Sequence, residues 1–439
     1  MRYMKVLFLL VSVFAAGNTF AQTVQEPYEV GVWHGFRNAA VSFTFDDGCS
    51  NQFAVAIPLF NEFGFRLTLF TLTRTDWAGL PDWTVLNNAA AQGHEVAAHS
   101  LSHTTFAGMS EADQMKELSE CQNDINSHIP GNQCITFAYP YCALGNKSLV
   151  ADYYLAARIC SGVIEPKTPR DFMAISSIVC GTEGSVKTAD HFLSRAGSAI
   201  RTNGWCIYLL HGIDNDGGWS PVTSEVLRET CQLFHEQQND FWVDTFGNVS
   251  RYIKERDDVS VAELSADDST IVVQITDTLS DTLFNHALTF RRPLPAGWIA
   301  AVAAQNDSPV VSQIKAINFI PHIQFDAVPD GGDVVISRRS EVRVYEQTFP
   351  IPVKPVLTQN FPNPFNPGTT ISFELSQSGR VSLTVFDLLG REIKALVDQD
   401  LAAGVHSVVF RPENIAGGMY LYRLQGEGFL LQRKMLFLP

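Results

Sequence analysis

Val41-Ser42-Phe43-Thr44-Phe45-Asp46-Asp47-Gly48 decides how this chain is read. Five residues of aromatic, β-branched and small side chains predict a buried strand, and the strand runs straight into two carboxylates and a glycine. Ionisable groups at the end of an apolar strand are costly to keep there unless they bind something. The pattern recurs downstream. His99-Ser100-Leu101-Ser102-His103 follows Glu95-Val96-Ala97-Ala98, Tyr139-Pro140-Tyr141 follows Phe137-Ala138, and His211 follows Leu209-Leu210. Carboxylates and imidazoles gathered at strand ends are the donor set of a mononuclear metal hydrolase.

Working outward, strands and amphipathic helices alternate from Ala40 to about Arg256. Strands are expected at 41–45, 66–72, 96–98, 136–139, 206–210 and 241–245. Helices are expected at 52–63, 83–92, 111–127, 146–158, 223–238 and 248–255. Such alternation predicts parallel strands covered by helices. Six or seven units imply an α/β fold, a distorted (β/α) barrel of about seven strands, whose functional residues sit at the C-terminal strand ends.

The 439 residues exceed one ordinary domain, and 46% hydrophobic residues support real cores. A net charge of -15 argues against nucleic acid or an anionic membrane as the main partner. Residues 1–21 read as a signal peptide: Arg2 and Lys5 precede an apolar run from Val6 to Gly17, and Thr19-Phe20-Ala21 supplies a cleavage site. The run is short for an uncleaved anchor, and no other segment predicts a membrane span. The eight Cys fall between Cys49 and Cys231, and an exported chain predicts disulfides among them. Cys121 and Cys134, flanking a helix end and the next strand, are the expected pair.

The barrel is assigned 22–256. Residues 257–346 change to strand and turn, with candidate strands at 271–275, 287–290, 317–320 and 334–336, and are expected to form an accessory β-sandwich. A Pro-spaced linker covers 347–356. From 357 to 439 come short strands and turns, introduced by Asn360-Phe361-Pro362-Asn363-Pro364-Phe365-Asn366-Pro367 and marked by Gly417-Gly418-Met419-Tyr420. This last all-β unit resembles the C-terminal sorting domain of the type IX secretion pathway. The resemblance implies the type IX machinery as a partner and a secreted or cell-surface location. A β-module that binds carbohydrate is the alternative.

Residues 40 to 256 resemble the polysaccharide deacetylases of carbohydrate esterase family four. Thr44-Phe45-Asp46-Asp47-Gly48, His99-Ser100-Leu101-Ser102-His103, Tyr139-Pro140-Tyr141 and Leu210-His211 carry the resemblance, in the family's order. Asp-Asp-Gly alone makes an ordinary turn, and His-x-x-x-His alone can be a helix surface. Together, on successive strand ends, they form one constellation. Asp47, His99 and His103 suit a divalent ion, zinc first, with cobalt or nickel also fitting. The resemblance implies Asp46 as catalytic base, the backbone N–H of Tyr141 as oxyanion donor and His211 as the acid for the departing amine. Ser100 and Ser102 lack a base and a nucleophile elbow, so they are expected to brace the loop.

Three departures stand out. The family commonly carries an Arg, which orients the catalytic Asp, where this chain has Ala138. Cys142 replaces the usual Gly after Pro-Tyr. No clear Asp partner for His211 appears, Asp171 and Asp244 being the candidates. Among Trp77, Trp83, Trp205 and Trp219, the last is the best sugar platform, because it follows the turn Asp214-Asn215-Asp216-Gly217-Gly218. That acidic turn lacks the full ligand pattern of a calcium loop.

The resulting expectation is an exported, metal-dependent hydrolase acting on linear amides, which removes acetyl groups, N-acetyl first, from an extracellular or cell-wall polysaccharide. The alternatives are an O-acetyl esterase of xylan type, a non-catalytic carbohydrate-binding surface protein and a small-molecule amidohydrolase.

Overall fold

The computed structural model describes residues 23–74, 82–317, 320–339, 355–360, 363–412 and 415–438. The leader, Trp77 and most of the Pro-spaced linker lie outside them.

Ala39–Asp46 is a strand with every residue buried. Its pleat sends Val41, Phe43 and Phe45 outward into a core shared with the helices, while Ala40, Ser42, Thr44 and Asp46 take the opposite face. Parallel neighbours follow on one side as Thr68–Thr71, Glu95–Ala98, Thr136–Ala138, Ala156–Ile159 and Ile175–Ser176. Trp205–Leu210 and Ile178–Val179 follow on the other. The two outer strands are consecutive pieces of chain separated by Ser177 alone, so the eight-stranded sheet curves into a nearly closed barrel. Phe241–Val243 pairs with the first half of Ala39–Asp46.

Helices cover the outside, and their starts are set by local chemistry. Asp82, Ser110, Thr188 and Thr223 each accept a backbone N–H from the first turn of the helix they precede. Inside the barrel, Ala97, Ala138 and Ala156 leave room for Phe70 and Trp205.

One expected element changes type. The helix read at 146–158 stops at Ala151, and Ala156–Ile159 is a barrel strand. Leu155 N–H donates to Ile135 O, and Thr136, Phe137 and Ala138 take Ala156, Ala157 and Arg158 as partners. Pairing with an open sheet edge outweighs the helical preference of two alanines.

The second unit is a two-sheet β structure. Ser260–Ala266, Thr270–Thr276, Val334–Arg339 and Ala300–Gln305 form most of one sheet, and Leu288–Pro293, Ile320–Ala327 and Ser312–Ile317 most of the other. Two N-terminal strands complete them: Thr23–Val24 joins Ser260–Ala266, and Glu29–Val30 joins Leu288–Pro293. One apolar cluster runs from the barrel interior (Phe70, Trp205, Ile207) through Phe246 and Tyr252 to Val273, Leu288 and Phe325. Barrel and sandwich therefore share a core.

The C-terminal unit has its own core around Phe373, Leu383 and Tyr422, between a three-stranded and a four-stranded sheet. No helix among the described residues is long and apolar enough to cross a membrane.

The disulfide expectation is corrected. Cys121 and Cys134 are buried free thiols, and the bridge joins Cys142 to Cys160. The Cys121 thiol lies 3.8 Å from Thr71 O on the neighbouring strand, and burial pushes it up to about 12. An aliphatic-like thiol in a core needs no partner.

Candidate active site

Asp46, Asp47, His99, His103, Tyr141, His211 and Trp219 all line one open cleft of about 1060 Å³. Each follows or ends a barrel strand, so parallel pairing alone brings them to one end of the barrel.

The loops that present them are strained. Asp47, Ser100, His103, Tyr141 and Cys142 all have positive φ, between 55° and 73°. Each such non-glycine residue costs about 1–3 kcal/mol and persists only where its surroundings over-determine it.

The strain brings three ligand atoms together. Those of Asp47, His99 and His103 lie within 4.8 Å of one another. Asp47 Oδ1 is 3.4 Å from His99 Nε2 and 3.5 Å from His103 Nε2, yet it is buried without a properly aligned hydrogen bond. Acceptor atoms converging in this way suit a divalent cation. His99 is prepared for it: Nδ1 lies 2.8 Å from Ala138 O, which can only accept, so Nδ1 carries the proton and Nε2 keeps its lone pair. Burial pushes the Asp47 carboxyl up, but the imidazoles of His99, His211 and His103 outweigh it and hold the group at about 2. Burial lowers His99, and the carboxylates of Asp46 and Asp47 more than reverse this, so it ends raised. His103 is lowered by burial and by His99.

Glu117 braces the loop between the two histidines, and nothing in the sequence marked it. Its Oε2 accepts the N–H groups of Leu101 and Ser102, each at 2.9 Å, and its Oε1 accepts the Ser102 hydroxyl at 2.6 Å. Ser100 Oγ accepts the His103 N–H at 2.9 Å.

Asp46 sits beside this cluster, 97% buried, on Arg158. Arg158 Nη2 donates to both Asp46 oxygens, at 2.6 Å to Oδ1, and Nη1 donates to Ser177 Oγ at 3.0 Å. The guanidinium is also buried, and it lies 5.0 Å from the centre of the Phe70 ring. Arg158 was also missed from sequence, because the strand bearing it read as helix.

Across the cleft, His211 Nε2 lies 3.9 Å from Asp47 Oδ2, and its ring meets Trp219 edge-on at 4.9 Å. Burial lowers its pKa, with Asp46 and Asp47 opposing. Neither proposed carboxylate partner reaches it. Asp171 is held by Lys147, and Asp244 accepts from Trp242 and Asn248.

Tyr141 is 71% exposed, its ring 4.6 Å from that of His103, and Trp219 is 51% exposed on the opposite side. The other described candidates lie elsewhere: Trp205 is fully buried on Ser42, and Trp83 stacks on His128. The carboxylates of the acidic turn are used by backbone, Asp214 by Ser224 N–H and Asp216 by Gly218 N–H. Cys142, where a glycine is usual, keeps the left-handed backbone and is tied to Cys160, two residues beyond Arg158.

Residues 35–155 match the family model for polysaccharide deacetylase, and residues 359–437 match that for the secretion system C-terminal sorting domain. The chain thus carries a polysaccharide deacetylase domain followed by a C-terminal sorting domain. Arg158 and His211 lie beyond the first matched stretch. A gellan lyase from a Bacillus species is 27% identical over 331 residues, which is 70% of this chain and 13% of that protein. The chain spans only that small share of the relative's length. Among solved structures, a putative polysaccharide deacetylase from Mycobacterium smegmatis is 17% identical with a TM-score of 0.40, covering 51% of this chain and 92% of that one. A family 4 acetyl xylan esterase from Clostridium thermocellum, solved with a cobalt ion, is 18% identical with a TM-score of 0.35, covering 48% and 89%.

Proposed function

We propose that the protein is a metal-dependent hydrolase that removes acetyl groups, N-acetyl first, from an extracellular or cell-wall polysaccharide and releases acetate. The observation that carries this reading is the convergence of Asp47, His99 and His103 beside the Arg158-held Asp46 and opposite His211.

Asp47, His99 and His103 would hold the ion, zinc first among zinc, cobalt and nickel. When bound, the ion lowers the pKa of water and polarises the acetyl carbonyl. Asp46 takes the proton of the attacking water, and Arg158 keeps its carboxylate in one orientation. The Tyr141 N–H stabilises the charge on the acetyl oxygen. His211 gives a proton to the sugar nitrogen as the C–N bond breaks, which leaves acetate and a free amine. Tyr141 and Trp219 flank the cleft as ring surfaces for sugars. The sorting domain supports export through the type IX machinery to the cell surface or beyond it.

The test is acetate release by the full chain from acetylated chitooligosaccharide, peptidoglycan and acetylxylan, before and after chelation and re-addition of zinc or cobalt. Metal-dependent release from an N-acetylated substrate, lost in Asp46→Asn, is the expected result. Release from acetylxylan alone makes the enzyme an O-acetyl esterase. No release from metal-loaded protein overturns the enzymatic reading.

A further inference from the structure

The two strands that deliver Asp46 and His211 stop pairing with each other one residue short of them. Ala39–Asp46 and Trp205–Leu210 run in register up to Phe45 and Leu210. Asp46 and His211 come next: Asp46 stays in the sheet only through its other neighbour, opposite Phe70, and His211 already lies beyond its strand. At that point a side chain takes over from the ladder. Gln52 is fully buried, and its Nε2 donates to Asp46 O at 2.6 Å and to His211 O at 2.9 Å. Both partners are carbonyl oxygens that can only accept, so the amide must present its NH2 to them. Gln52 Oε1 is left buried without a partner, which marks the residue as one used purely for donation.

Gln52 opens a π-helical turn, Gln52–Ala56, a departure from regular helix that recurs at functional sites. Its neighbour extends the seam. Asn51 Nδ2 donates to Ile213 O at 2.9 Å, and Asn51 N–H lies 3.3 Å from Asp216 Oδ2. Asp216 in turn holds Gly218, against which Cys49 packs so closely that a Cβ there would sit 2.6 Å from the sulfur. The loop after Asp46 is thereby laced to the loop after His211.

We propose that Gln52 is a positioning residue that sets the base Asp46 against the acid His211. This rests on the deacetylase reading above. Base and acid act on one tetrahedral carbon from different sides, so their separation matters in the transition state more than in substrate binding.

Gln52→Met keeps the length of the side chain and removes both donors. In the full-length, zinc-loaded protein we expect kcat on an N-acetylated oligosaccharide to fall roughly 10- to 100-fold, with KM and zinc affinity within about threefold of wild type. On 4-nitrophenyl acetate, whose leaving group needs no proton, the loss should shrink to a few-fold. Gln52→Asn, too short to reach both carbonyls, should fall between the two and serves if Gln52→Met does not fold. A lowered melting temperature with unchanged kcat overturns the proposal, as does an equal loss on amide and aryl ester, or a loss that follows zinc affinity. Wild-type protein that releases no acetate overturns the deacetylase reading and the role of Gln52 with it. Active wild type with an equally active Gln52→Met overturns the role of Gln52 alone.

Discussion

Ala138 and Arg158 are register partners on adjacent parallel strands, and the guanidinium reaches Asp46 from the second of them. The family resemblance implies an Arg at residue 138. Here that position is a small, fully buried residue, and the side chain beside it lies over the face of Phe70. The same group arrives at the same carboxylate from the neighbouring strand.

Arg158→Met should lower kcat for acetate release by about 10²-fold, the scale of a lost charge-orienting donor. It should also destabilise the protein by about 3–5 kcal/mol, because Asp46 is left buried and unpaired. Arg158→Lys keeps the charge but not the fork, and should recover stability better than rate. The double variant Ala138→Arg/Arg158→Ala tests the register argument directly: it should regain part of the activity that Arg158→Ala loses. Steady-state kinetics with thermal melts check all three.

The bridge between Cys142 and Cys160 ties the Tyr141 turn to the strand end carrying Arg158. Cys142→Ser/Cys160→Ser should therefore reduce kcat about tenfold while the protein remains folded, since a displacement of roughly 1 Å in a donor is enough for such a loss. A phosphine reductant, which does not strip zinc as a dithiol does, should have the same effect on wild type and none on the double variant. Activity assays with thiol counting check this.

Glu255 is buried in the last barrel helix, and burial pushes its carboxyl from 4.5 up to about 8. The His286 N–H at 2.8 Å and Arg251 pull it down, while Asp277 adds to the rise. The folded chain thus keeps a proton that the unfolded chain releases. The stability this contributes is complete below about pH 4.5 and is lost as the pH climbs to about 8. Glu255→Gln should remove this contribution, so that the melting temperature falls less than that of wild type as the pH rises over this window. Its advantage over wild type near pH 9 should be on the order of 4 kcal/mol at most. Denaturant titrations at pH 5, 7 and 9 check the sign.

A chain cut after residue 256 should not give a cooperatively folding barrel. The cut removes Val273, Leu288 and Phe325 from the cluster that covers Phe246 and Tyr252, and it strands the N-terminal segment without its sheet partners. A chain ending near residue 340 keeps these contacts and should melt in one transition. Calorimetry of the two truncations decides it.

The contrast between residues explains how much was legible from sequence. Asp46, Asp47, His99, His103 and His211 were visible because each polar group interrupts an apolar run, a local signal. The barrel was visible for the same reason, through alternating strands and helices. Arg158 was not, because Leu155-Ala156-Ala157-Arg158 has no strand character of its own and is a strand only by pairing with Thr136–Ala138. Glu117 and Gln52 were not visible either, since most of their partners are backbone groups, up to 159 residues away. The true disulfide joins the ends of two strands, Thr136–Ala138 and Ala156–Ile159, that only their mutual pairing brings together, whereas Cys121 and Cys134 were near in sequence and merely share a core.

The shared core has a geometric consequence for any long substrate. With the sandwich packed against the far end of its interior, the barrel presents its catalytic end as the open cleft between Tyr141 and Trp219. On the deacetylase reading proposed above, a glycan lying across this cleft need not be threaded from a terminus. Acetyl groups in the interior of a glycan are then as reachable as those at its ends, and the pattern of free amines on partially treated oligosaccharides would record it.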